Sequence, residues 1–165
     1  MSPYALWVRI AVGASAALVT MLAVPVPAPA PQRVDVIPGT AGGALLGVLL
    51  FVALARSRPR LPGCGCVTRA QLCFLLGWAW VEEVLWRRLL LGGLALAAGP
   101  VVGVVTATAL FTLAHPHGRP TQLLTGAVFG GAYIGTGRLS SAVASHAVYN
   151  LLVAGTRIRE PAVDT

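Results

Sequence analysis

The sequence has no lysine and few acids. Its twelve basic residues are all arginine, against five Asp and Glu, and only 10% of the chain is charged. A soluble domain usually carries about 25% charged residues. With 56% hydrophobic residues and a mean hydropathy of +0.79, no stretch of the 165 residues is polar enough to form a separate soluble unit. One integral membrane domain, residues 1–165, is therefore expected. The net charge of +7 does not mark a nucleic-acid partner. The arginines gather in short loops between apolar runs, which is the positive-inside pattern of membrane proteins rather than a basic face. Ala, Val, Gly and Arg in abundance without Lys point, by association, to a GC-rich bacterial genome and so to a bacterial plasma membrane.

Cysteine is also scarce. Cys64, Cys66 and Cys73 are odd in number and fall at or near a basic loop, which argues against a structural disulfide. Cys64-Gly65-Cys66 lacks a second pair at zinc-ligand spacing, so the thiols are read as reduced and incidental.

Six apolar runs remain, and they predict an all-α, polytopic helix bundle with about six transmembrane helices. The first spans Tyr4 to Val24 at about the length a bilayer requires. It is read as a retained helix rather than a signal peptide, since Arg9 alone makes a weak n-region. Residues 25–38 form a Pro-rich extracytoplasmic linker that cannot continue a helix. The later runs are Thr40–Ala55, Ala70–Ala98, Val101–His115, Gln122–Gly135 and Leu139–Thr156. The loop from Arg56 to Arg69 carries four arginines, the most of any loop, and is expected in the cytoplasm, which places both termini there too. Gly126, Gly130, Gly131 and Gly135 in the fifth run predict close helix packing. His117, beyond Pro116, is expected in a solvated loop, and Trp86 and Tyr149 are expected to pack or to anchor at an interface.

The third run holds Glu82, Glu83, Arg87 and Arg88. Each ionised side chain near a bilayer centre costs roughly 2.5–3.5 kcal/mol to insert, so four would cost on the order of 10 kcal/mol. Such a cluster must face the bundle interior. Residues four apart share a helix face, so Glu83 pairs with Arg87. Glu82, about 100° around the helix, is left to accept a proton as a general base does. Two further pairs at the same spacing follow, Phe111 with His115 and His146 with Asn150. Glu and His can polarise water, and His and Asn can donate to an oxyanion, which together suffice to hydrolyse an amide. The same residues could hold Zn²⁺. No His-Glu-x-x-His helix and no Gly-x-Ser-x-Gly turn is present, although Ser140, Ser141 and Ser145 precede His146. A proton-coupled carrier, or its accessory subunit, relaying protons through Glu82 and His115 is the alternative.

These residues resemble the CPBP intramembrane protease family, which includes CAAX prenyl endopeptidases and bacterial proteins linked to bacteriocin self-immunity. Its motifs, Glu-Glu-x-x-x-Arg, Phe-x-x-x-His and His-x-x-x-Asn, read here as Glu82-Glu83-Val84-Leu85-Trp86-Arg87, Phe111-Thr112-Leu113-Ala114-His115 and His146-Ala147-Val148-Tyr149-Asn150. The resemblance defines a core over residues 70–155. It implies that Glu82 and His115 activate the attacking water, that His146 and Asn150 stabilise the oxyanion, and that Glu83 and Arg87 support the site. It further implies a membrane-embedded or membrane-anchored peptide or protein as substrate and the lipid bilayer as surroundings. The family is described both with and without a metal, so a cofactor of none or zinc stays open, with a lean to the metal-free form. Arg88 stands where the family commonly has glycine. Six runs are also fewer than the eight or so helices that family members often have.

Overall fold

The computed structural model describes residues 3–24, 34–55, 61, 68–116 and 118–157. Among them there is no strand, and the helices are α1 (Pro3–Ala23), α2 (Val36–Ala55), α3 (Arg69–Glu83), a π-helical stretch (Val84–Leu91), α4 (Gly92–Ala98), α5 (Pro100–Ala114), α6 (Arg119–Thr136) and α7 (Leu139–Arg157). Since α3, the π-helical stretch and α4 run on without a break, six rods result, one for each apolar run. Cys64, Cys66, His117 and most of the Arg56–Arg69 loop lie outside the described residues. Cys73 is exposed and unpaired.

Local chemistry sets the ends. A capping box opens α3: the Gln71 backbone N–H donates to Thr68 Oγ1 at 3.2 Å, and the Thr68 N–H donates to Gln71 Oε1 at 2.8 Å. Gly99, at φ 89°, makes the corner that lets α4 fold back on α5, and Pro100 starts the next helix. Two helices begin earlier than expected. α2 starts at Val36, so its first turn takes up Pro38, and α6 starts at Arg119, with Pro120 in its first turn. Proline is tolerated there because first-turn N–H groups have no helical partner to lose.

The rods pack through small residues, though not only those expected. Gly126 on α6 presses on Thr108 and Phe111, whereas Gly131 and Gly135 face open space. The tightest approach is between α2 and α7. A methyl group added at Gly43 or Gly47 would land on the backbone carbonyl of Ser141 or Ser145. The pairing of Gly43 with Ser141 and Gly47 with Ser145 makes these helices parallel. α1 belongs to the bundle, with Ala17 buried against Val81 and Val84.

Polarity is inverted relative to a water-soluble protein. Ile37, Leu22 and Val101 are at least three-quarters exposed, while Glu83 and Arg87 are buried. By length and composition, Tyr4–Ala23 and Val36–Ala55 can each cross a membrane, and Pro100–Ala114 is a shorter apolar helix.

Candidate active site

The C-terminal turn of α3 and the π-helical stretch occupy the middle of the bundle, in contact with α1, α5, α6 and α7. Within that stretch the Gly92 N–H reaches the Arg87 carbonyl five residues back, instead of the four of an α-helix. Glu83 and Arg87 still meet, with Arg87 Nε 3.1 Å from Glu83 Oε2 and both side chains fully buried. The guanidinium lies 4.9 Å from the centre of the Phe111 ring and 6.0 Å from that of Phe129. Cation–π attraction of this kind adds to the ion pair in the absence of water.

Glu83 does more than pair with Arg87. Its Oε1 lies 2.8 Å from Nδ1 of His146 on α7. The other nitrogen of that ring, Nε2, is 3.6 Å from Glu82 Oε2. Phe129 stacks on the imidazole at 4.8 Å between ring centres. His146 is thereby fixed on three sides, in the carboxylate–histidine manner that orients a working imidazole.

His115 is held differently. It follows the last turn of α5, at φ −113° and ψ 87°, so the expected helix ends one residue before it. Its Nδ1 lies 2.8 Å from the Phe111 carbonyl, and its ring sits 4.4 Å from that of Phe111. A carbonyl oxygen only accepts, so Nδ1 carries a proton, and Nε2 is the nitrogen turned toward Glu82. That Nε2 is 3.7 Å from Glu82 Oε1. The proline after His115 ends the helix and lets the ring act as its own C-terminal cap.

Glu82 is where the two histidines meet, and Trp78 Nε1 donates to its Oε1 at 2.8 Å. Around it lies a cavity of about 220 Å³, lined among others by Trp78, Gln122, Thr125 and Asn150. All four residues expected to be catalytic, Glu82, His115, His146 and Asn150, border this one cavity. Both supporting residues, Glu83 and Arg87, lie behind it. Trp78, Gln122 and Thr125 were not foreseen. Trp78 alone carried a signal, standing four residues before Glu82 on the same face. Of the residues expected to pack or anchor, Trp86 packs edge-on against Phe111, and Tyr149 borders the cavity.

Among the described residues, no three of His, Cys, Asp and Glu converge as metal ligands. The two histidines approach different oxygens of Glu82. The separations of 3.6 and 3.7 Å exceed a direct hydrogen bond.

A family model, that of the Rce1-like type II CAAX prenyl endopeptidases, matches residues 67–152, just over half of the chain. The chain belongs to this family. The match contains all three motifs and every residue of the buried ion-pair cluster. At the level of the family, the activity is that of a CAAX-type intramembrane endopeptidase acting on a membrane-associated protein. No curated protein and no solved structure matches the chain.

Proposed function

We propose that this chain is an intramembrane endopeptidase that hydrolyses a peptide bond of a membrane-embedded or membrane-anchored protein or peptide. One observation carries the reading: Glu82, with Nε2 of two separately oriented histidines beside its two oxygens, faces a cavity large enough for a peptide bond and a water.

Water held by Glu82 and His115 attacks the carbonyl carbon, and Glu82 accepts its proton. As the carbonyl oxygen becomes an oxyanion, Asn150 and His146 donate hydrogen bonds to it. To donate from Nε2, His146 must be protonated on both nitrogens, and its Nδ1–H then pairs with Glu83. Arg87 in turn keeps Glu83 from standing as a lone buried charge. The proton held by Glu82 passes to the leaving amine as the C–N bond breaks. No step is routed through a metal.

The exposed apolar residues on the outside of the bundle support insertion into a bilayer as six spans, with α1 retained as the first. The parallel α2 and α7 fit this alternation. With the Arg56–Arg69 loop inside, both termini lie in the cytoplasm of a bacterial plasma membrane. The carrier reading draws no support from the family.

The test is reconstitution in proteoliposomes with farnesylated and transmembrane peptides, read by mass spectrometry. The unaltered protein is expected to cleave, and Glu82→Ala and His115→Ala each to abolish cleavage while remaining folded. Undiminished cleavage by either variant would sink the assignment of roles, and pH-dependent flux without peptide turnover would favour a carrier.

A further inference from the structure

A second cavity of about 460 Å³ borders the first, lined by Leu75 of α3, Gly118, Thr121 and Gln122 at the start of α6, and Tyr149, Asn150, Val153 and Ala154 of α7. Gln122, Tyr149 and Asn150 line both cavities. They therefore frame the neck between the outer cavity and Glu82, with Gln122 on α6 and the other two on α7. The outer cavity lies where α3 and α6 begin and α7 ends, which is the end of the bundle that carries Arg69 and Arg119. Among the described residues that line it, none is charged.

We infer that Gln122 is a substrate-binding residue that hydrogen-bonds the backbone of an extended peptide as it passes the neck, and this rests on the endopeptidase reading above. The amide is oriented for it. The Thr125 hydroxyl lies 3.4 Å from Gln122 Oε1 and 3.2 Å from the Gln122 carbonyl, sharing one proton between them. Thr125 is itself buried. Its hold on the amide oxygen leaves the Nε2–H₂ donors of Gln122 without a partner among the described residues, at the wall of both cavities. A primary amide in a membrane helix seeks a partner, and an extended peptide offers carbonyls that a helical one keeps for itself. Gln122 thus reads backbone and not side chain. The segment next to the scissile bond must therefore be unwound.

The experiment uses the full-length protein in proteoliposomes and a peptide it cleaves, drawn from the farnesylated and transmembrane set. Each peptide bond flanking the scissile one is replaced in turn by a trans-alkene, which keeps the shape and removes the carbonyl. For the unaltered protein, one position is expected to lose roughly fivefold in kcat/KM, the size of one hydrogen bond. Gln122→Met, close in shape but without the donor, is expected to raise KM by a similar factor with kcat little changed. It should also abolish the penalty at that one alkene position. A merely structural role for Gln122 would lower thermal stability and leave the alkene penalty in place, and that result overturns the inference. So does an unchanged KM. If the unaltered protein cleaves no peptide of the set, the endopeptidase reading fails first and takes this inference with it. Cleavage with an unmoved alkene penalty in Gln122→Met sinks only the role of Gln122.

Discussion

Glu82 and Glu83 are neighbours in the chain with opposite surroundings. The Glu83 side chain is fully buried between Arg87 and His146, while that of Glu82 keeps 16% of its surface and borders the cavity. Glu83→Gln would leave the guanidinium of Arg87 buried without its counter-charge. Breaking a buried pair from one side costs roughly 3–5 kcal/mol, so a marked fall in the thermal midpoint is expected, with weakened hydrolysis as His146 loses its anchor. A variant as stable as the parent would show that the pair contributes little. Residue identities at the site were legible because helical spacing of four and the cost of burying charge both pick out Glu83 with Arg87. The i, i+4 pairs also brought Phe111 to His115 and His146 to the wall that holds Asn150. Gln122 and Thr125 were not legible: a single amide and a single hydroxyl at no motif spacing gain meaning only when α6 is laid against α7.

At the scale of elements, apolar runs gave six rods, with starts displaced by three or four residues where proline sits in a first turn. The π-helical stretch left no trace in the sequence, because Val84–Leu91 reads as apolar whether its bonds close over four residues or five. Glycine was legible as a packing signal but not as a location. Gly43 and Gly47, on a helix whose glycines drew no attention, make the closest contact, whereas Gly131 and Gly135 meet nothing. Gly43→Ala must push α7 away, and overpacking costs about 1–3 kcal/mol. A lowered melting temperature is expected for Gly43→Ala and Gly47→Ala. Gly42→Ala, beside open space on the same helix, should be neutral or slightly stabilising. Equal effects at positions 42 and 43 would contradict the close α2–α7 approach.

For the whole molecule, scarcity of charge foretold an apolar exterior, and the described residues carry one. What composition left open was the side on which the site opens. Within the bundle, the outer cavity lies toward the end shared by the starts of α3 and α6 and the end of α7, and it shares Gln122, Tyr149 and Asn150 with the inner one. On the endopeptidase reading, the substrate is proposed to approach from the end where α3 begins, itself proposed to be cytoplasmic. Reporter fusions at each terminus should both report a cytoplasmic location, and a terminus found outside would overturn the topology. On the metal-free reading, hydrolysis is expected to persist in a strong zinc chelator. Loss of activity restored by added zinc would instead show that the donors close around a metal.

The most direct measurement replaces Glu82 with glutamine and compares turnover of a cleaved membrane peptide. Glu82→Gln keeps the size of the side chain and an oxygen for Trp78 to bond, but removes the base. Positioned proton transfer is worth roughly 10²–10⁴-fold in rate, so kcat should fall by that order with thermal stability unchanged. Turnover by the folded variant equal to that of the parent would contradict the claim that Glu82 activates water.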